Sequence, residues 1–237
     1  MRYHIGEFDH FRTGMQFPQA ASTTGKLPEH EATYRRLRDK MMFGDLAPGQ
    51  KVTLQGITAD LGAGMTPVRE AIRRLTAEGA LTLHENRRIS VARLTLSQLD
   101  ELAFVRLSLE PELARRALDR MSPAAIDALA LVDAAIDKAI GAGDVQGYLA
   151  GNYRFHFALY EAADAPILLS LTASLWLRFG PSLRVVVESG GSIGPDRHKD
   201  ALSAMRDGDA LRLEAAIKAD IVQGIDMVRA DIARSQS

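Results

Sequence analysis

The chain has 237 residues, of which 46% are hydrophobic, enough apolar material for one large or two ordinary cores and too much for a wholly disordered chain. It contains no cysteine, which removes disulfides, thiolate metal ligands and cysteine nucleophiles together, so any metal must be held by nitrogen and oxygen. The net charge of -1 conceals two unlike parts: residues 30–93 carry 11 Lys and Arg against 7 Asp and Glu, a net of +4, and residues 94–237 carry 15 against 20, a net of -5. A basic segment joined to an acidic one suggests a polyanion partner at one end and a separate task at the other.

The N-terminus (MRYHIGEFDHFRTG) is broken every few residues by His, Glu, Asp or Arg, and no later stretch is long enough to span a bilayer, so a cytoplasmic chain without membrane contact is expected. Residues 1–28 mix polar and turn residues without periodicity and are expected to be a flexible arm. A helix is expected from His30 to Phe43, stopped by Gly44 and the turn Asp45-Leu46-Ala47-Pro48-Gly49. Thr53 can cap a short helix ending near Leu61, and Gly62 and Gly64 bracket a tight turn. Thr66, as N-cap, and Pro67, as first helical residue, predict a second helix running to about Glu78. On its wheel Val68, Ala71, Ile72 and Leu75 form one apolar stripe, and Thr66, Arg69, Glu70 and Arg73 lie opposite. Two β-like stretches, Leu81–His84 and Ile89–Ala92, flank the polar tip Glu85-Asn86-Arg87-Arg88. This order predicts a winged helix-turn-helix over residues 29–94 that binds double-stranded DNA.

From Ser97 the pattern is helical, with breaks at Ser122-Pro123, Gly141-Ala142-Gly143, Asp164-Ala165-Pro166, Glu188–Pro195 and Gly208-Asp209. The expected fold is therefore mainly α: the winged domain, then an antiparallel bundle of about six helices over residues 95–237. Inside that bundle polar residues fall on apolar stripes. His156 shares a face with Asn152, Leu159 and Ala163; His198 with Ala201, Leu202 and Met205; Asp220 with Leu213, Ala216, Ile217, Gly224 and Met227. Unpartnered buried polar groups are costly, so these three helices are expected to bring theirs to one polar centre. Arg106 and Glu110, four apart among Leu99, Leu102, Leu109 and Leu113, can form a structural ion pair, or Arg106 can clamp an effector carboxylate. Tyr160 and Arg178 are further effector candidates, Arg154 and Arg178 also fit a solvated or interfacial role, and Trp176 fits core or pocket wall.

The runs YRRLRDKMMFGDLAPGQKV, LGAGMTPVREAIRRLTAEGALTLHENRRISV, LDELAFVRLSLEPELAR and NYRFHFALYEAA resemble the GntR family, in its FadR-type subgroup with an all-helical effector domain. The resemblance extends from about Tyr34 to the C-terminus and implies a homodimeric regulator, by family weight a repressor, that reads an operator in response to a small organic acid. It implies DNA contacts from Gln55, Met65, Thr66, Arg69, Arg73, Arg87 and Arg88. Three of these depart from the family pattern: Gly64-Met65 stands where Ser-Arg or Thr-Arg is usual, Gln55 where arginine is frequent, and Arg88 where a wing glycine is common. The resemblance further implies a divalent metal (Zn, Mn, Ni or Mg) on Asn152, His156, His198 and Asp220, the last standing where a histidine is expected. A metal-free hydrogen-bonded centre, with Asp220 accepting from His156 or His198, fits the same residues, and so does an unrelated core placement. A DNA-binding dimer without a ligand is the alternative regulator, and a metal-dependent hydrolase or lyase the alternative enzyme. The enzyme reading finds no glycine-rich phosphate loop, nucleophile elbow or HExxH pair in the sequence.

Overall fold

A computed structural model describes residues 27–43, 46–85, 88–188 and 196–235; the expected arm, Gly44-Asp45, the wing-tip residues Asn86 and Arg87 and most of the 188–195 loop lie outside them. Helix α1 (Glu29–Phe43) opens with Glu29 and Glu31, whose carboxylates suit the positive end of a helix, and buries Thr33, Tyr34, Leu37, Met41 and Met42. Helix α2 (Leu54–Leu61) begins as the sequence suggests: Thr53 accepts a hydrogen bond from the Gly56 amide. It ends on Gly62 at φ 57°, a left-handed conformation that glycine adopts without steric penalty.

Helix α3 (Met65–Ala77) starts two residues earlier than expected. Gly64 is its N-cap, without a side-chain hydrogen bond, and Pro67 is the third helical residue. Amides of the first turn have no intrahelical acceptor, so proline is tolerated there as well as at the first position. Thr66 is thus not the cap and is exposed on the first turn. Val68, Ala71, Ile72 and Leu75 are buried as the wheel requires.

The wing has three strands, in the order β1-β3-β2, all antiparallel: β1 (Lys51–Val52), β2 (Leu81–Leu83) and β3 (Ile89–Val91). Strand β1 went unforeseen because two residues carry no alternation to read. Lys51 and Thr82 both pair with Ser90, so these three residues line one face of the sheet.

Six further helices complete the nine among the described residues: α4 (Leu96–Leu118), α5 (Pro123–Ala142), α6 (Val145–Glu161), α7 (Pro166–Glu188), α8 (Arg197–Asp207) and α9 (Ala210–Ser235). Their starts are written in the sequence: Thr95 and Gln98 form a capping box, and Ser122, Asp144 and Asp196 each cap the helix that follows. Helix α4 packs chiefly on α9, α5 on α6, and α8 on α9. The core of the winged part is not closed on itself. Helix α1 also packs on α6 and α7, and Phe157, Trp176 and Leu177 share a cluster with Val68, Leu75 and Met41. Helix α7 contains an interior proline, Pro181, preceded by Gly180, where a side chain would come within 3.4 Å of the Met42 backbone.

Candidate functional site

The outward face of α3 carries Met65, Thr66, Arg69, Glu70, Arg73 and Arg74, all exposed, with Gln55 exposed on the preceding α2. The three cations differ in what holds them. Arg73 is gripped by Glu70 through two hydrogen bonds of 3.0 and 2.6 Å, and Arg74 lies between Glu31 and Glu78, each 3.0 Å away. Arg69 pairs with no carboxylate among the described residues, so its guanidinium is at liberty to meet a base edge or phosphate. Beside the helix, the open face of the wing forms a concavity of about 470 Å³ whose walls include Lys51, His84, Arg88 and Arg93. The His84 Nε2 and Ser90 Oγ are 2.9 Å apart on its floor. Lys51, His84 and Arg93 were not anticipated; only the unforeseen strand β1 brings Lys51 across from Ser90. Arg87 lies outside the described residues.

The second site is interior. Arg106 is 2% exposed and Glu110 0% exposed on α4; Arg106 Nε donates to Glu110 Oε1 at 2.5 Å and Nη2 to Oε2 at 3.2 Å. Aromatic faces enclose the guanidinium, with the Trp176 and Phe179 centroids 4.6 and 4.8 Å from its carbon. Tyr160 on α6 donates its hydroxyl to Glu110 Oε2 at 2.8 Å. Burial and the Glu110 charge push the Tyr160 phenol well above its ordinary pKa, so it keeps its proton for that bond. Its oxygen lies 3.1 Å from His156 Nδ1 and, with its own hydrogen given to Glu110, can accept from an Nδ1–H there. The other nitrogen of His156 faces Asp220 Oδ2 at 3.0 Å and His198 Nε2 at 3.4 Å. His198 turns its Nδ1 to Asp133 Oδ1, 3.3 Å away, and stacks on Phe155 at a 4.1 Å centroid distance. Burial works against the Asp220 charge, but His156, His198 and Arg106 outweigh it and hold this carboxyl below the ordinary aspartate range.

Thus α4, α6, α8 and α9 bring Arg106, Glu110, Tyr160, His156, His198 and Asp220 into one chain of contacts, and the ligand atoms of His156, His198 and Asp220 all lie within 4.8 Å of one another. Asn152 is buried one turn before His156 and borders a cavity of about 10 Å³, room for one water, with Trp176 and Met42. Arg178 does not join this centre: it is exposed, and its Nε donates to the Glu78 carbonyl at the end of α3, 2.9 Å away. Asp133 was missed, although Ile126, Leu129, Asp133 and Ile136 follow helical spacing and α5 buries all four. Thr172 was also missed: its hydroxyl and the Trp176 Nε1, one turn apart on α7, are buried without a hydrogen-bond partner.

Over residues 29–91 the chain matches the family described as bacterial regulatory proteins, gntR family, and over residues 101–223, more than half its length, it matches the FCD domain. The chain belongs to the GntR family. Its FCD domain contains the whole interior centre, and its gntR segment contains α3 and the wing. Among similar proteins, the HTH-type transcriptional regulator McbR of Escherichia coli K12 is 29% identical over 169 residues, 70% of this chain and 76% of the relative. A protein of Paenarthrobacter nicotinovorans, named as the "Probable D-xylose utilization operon transcriptional repressor", is 28% identical over 179 residues, 73% of this chain and 77% of the relative. The solved structure of E. coli McbR superposes with a TM-score of 0.79 at 24% identity, covering 87% of this chain and 99% of that one, and so shares the fold. This GntR protein is accordingly a DNA-binding transcriptional regulator and not an enzyme. Among the described residues no helix is long and apolar enough to cross a membrane.

Proposed function

We propose that this GntR regulator is a homodimeric repressor whose FCD domain holds a divalent metal on His156, His198 and Asp220 and senses a small carboxylate effector there. One observation carries the reading: the Nε2 atoms of two imidazoles and the Asp220 carboxylate converge, within 4.8 Å of one another, in the interior of the FCD domain. The outer partners offer each imidazole an acceptor at Nδ1, the Tyr160 oxygen for His156 and the Asp133 carboxylate for His198, and a proton held there leaves Nε2 available to a metal. Both Nε2 lone pairs and the Asp220 carboxylate then face one another at 3.0–3.9 Å. An extra proton on His156 would satisfy its contact with Asp220 but leave His198 Nε2 unserved; a cation serves all three. Metal–ligand bonds of about 2.0–2.2 Å put neighbouring ligands roughly 3–3.5 Å apart, close to these spacings. Two imidazoles and one carboxylate favour Zn, Mn or Ni over Mg. Asn152, on the same face as His156, is the candidate fourth ligand.

Three protein ligands leave a position open for an effector oxygen, and with Asn152 as a fourth the position stays open on a six-coordinate ion such as Mn or Ni. The unpartnered Thr172 hydroxyl and Trp176 indole N–H support an acceptor-rich ligand such as a carboxylate, because a buried donor without an acceptor is costly. Arg106 has its fork turned to Glu110, so its part in the effector site is to border it beneath Trp176. At the other end Thr66 and Arg69, with Gln55 and Met65, enter the major groove, and the wing lies along the phosphates. Two copies present two such helices to the two halves of an operator.

The test is thermal unfolding of metal-stripped protein with ZnCl2, MnCl2, NiCl2 or MgCl2, alone and with small di- and tricarboxylic acids. A ligand confined to the native state stabilises it by about 2.7 kcal/mol at 100 times its Kd, so the midpoint should rise with metal and rise again with one acid. His156→Ala and the milder Asp220→Asn should each abolish the metal-dependent rise. An unchanged midpoint with every metal, or a rise retained by both variants, would overturn the metal centre.

A further inference from the structure

Helix α3 ends at a crowded carbonyl. Its C-cap is Glu78, whose side chain accepts from the Tyr34 hydroxyl of α1 at 2.7 Å and from Arg74 Nε at 3.0 Å. The main-chain oxygen of the same residue accepts from Arg178 Nε, which comes from α7 in the other half of the molecule, a hundred positions along the chain. Gly79 follows at φ 75°, and a Cβ there would lie 3.1 Å from Arg178 Nε, so the guanidinium stem is seated against the backbone turn that closes the recognition helix. Two residues before Arg178, on the same turn of α7, Trp176 reaches the opposite way. Its ring covers the Arg106 guanidinium at 4.6 Å and lies 5.1 Å from the His156 ring.

We infer that Arg178 is a positioning residue for DNA recognition: by donating Nε–H to the Glu78 carbonyl it clamps the C-terminal end of α3 to α7, and through Trp176 on the same turn the state of the interior centre sets the attitude of the recognition helix. The coupling half rests on the metal-and-effector reading above; the clamp half does not. Carbonyls of a last helical turn have no amide donor of their own, so a donor from another element fixes that end in space as well as satisfying it. An exposed arginine on an α7 surface would ordinarily be read as a solubilising charge or a phosphate contact. Here the bonded atom is Nε, the one nitrogen that lies inside the stem, which points to a geometric role and not to a charge presented to DNA.

That distinction gives the test. Glutamine carries its side-chain nitrogen the same number of bonds from the backbone as arginine Nε, without charge; methionine has a methyl group there. Full-length wild type, Arg178→Gln and Arg178→Met are compared on a duplex selected from random DNA by the wild-type protein. Arg178→Gln should bind it within about threefold of wild type and Arg178→Met at least tenfold more weakly, with equal binding to random duplex and equal thermal midpoints. In the Met variant the amides of Gly79 and Ala80, which close onto the Thr76 and Leu75 carbonyls, should exchange with solvent faster than in wild type. If both variants bind like wild type, or both weaken equally, the hydrogen-bond clamp is wrong. For the coupling, ZnCl2 is added to each: the fold-change it produces in wild-type affinity should shrink below twofold in Arg178→Met while the zinc-induced rise in thermal midpoint persists. A zinc effect on affinity that survives intact in Arg178→Met overturns the coupling. Zinc without effect on wild-type stability overturns the metal reading instead and leaves the Gln and Met pair to decide the clamp.

Discussion

Glu110 accepts from two directions in a site sealed from water, Arg106 on its own helix and Tyr160 from α6. Removing one member of such a set costs more than the set contributes, because the remaining charge and hydroxyl stay buried without a partner. Glu110→Ala and the isosteric Glu110→Gln should therefore each destabilise the protein by about 3–5 kcal/mol in urea unfolding, because both leave the Arg106 charge buried without a counter-charge. A much smaller loss for Glu110→Gln, which keeps the shape and an acceptor for Tyr160, would mean that packing, and not charge, holds this centre. Most of the centre's members were legible, Asp133 excepted, because helical spacing alone shows a polar residue on an apolar stripe. What the spacing does not encode is partner choice. Arg106 and Glu110 are on one helix and four apart, so their pairing could be read, whereas the turn of His198 toward Asp133 depends on how α8 packs on α5.

The recognition helix is the element where local chemistry and function separate most clearly. Its buried stripe and its exposed face follow from periodicity and were legible, and its first residue was not, since several positions of a first turn accept proline. The two-residue strand β1 was beyond reach for a related reason: it exists through pairing with β3, a long-range contact with no local pattern. Among the cations of α3, Arg73 and Arg74 are already paired on the surface and Arg69 is not. Exposed pairs are weak and can be exchanged for phosphate, so all three can act, but Arg69 does so without first releasing a carboxylate. Arg69→Ala should weaken binding to the selected duplex by about 1–3 kcal/mol and relax its base preference, as measured by competition with single-base variants. An unchanged preference would assign α3 to the backbone and leave sequence reading to the wing.

At the scale of the whole molecule, the division of charge seen in the sequence corresponds to a division of surface. The basic residues of 30–93 supply the exposed face of α3 and the walls of the wing concavity, where Lys51, Arg88 and Arg93 border one hollow. If that hollow follows the DNA backbone, Lys51→Ala and Arg93→Ala should each lower the slope of log affinity against log salt by about 1, with little change in base preference. A slope equal to wild type in both would place the phosphates elsewhere. The shared core of α1, α6 and α7 means that neither half is indifferent to the other, which is why a residue sought for effector binding, Arg178, is found holding the recognition helix. Pro181 bears on the same junction. It has no amide hydrogen, so the carbonyl of Leu177 loses its helical partner just beyond Trp176, and Gly180 adds no side chain to stiffen the spot. Helix α7 is thus notched where its two tasks meet, and a notched rod bends at its notch: a small tilt of the stretch that carries Thr172, Trp176 and Arg178 can be taken up there, while the far end of the helix stays seated in the bundle.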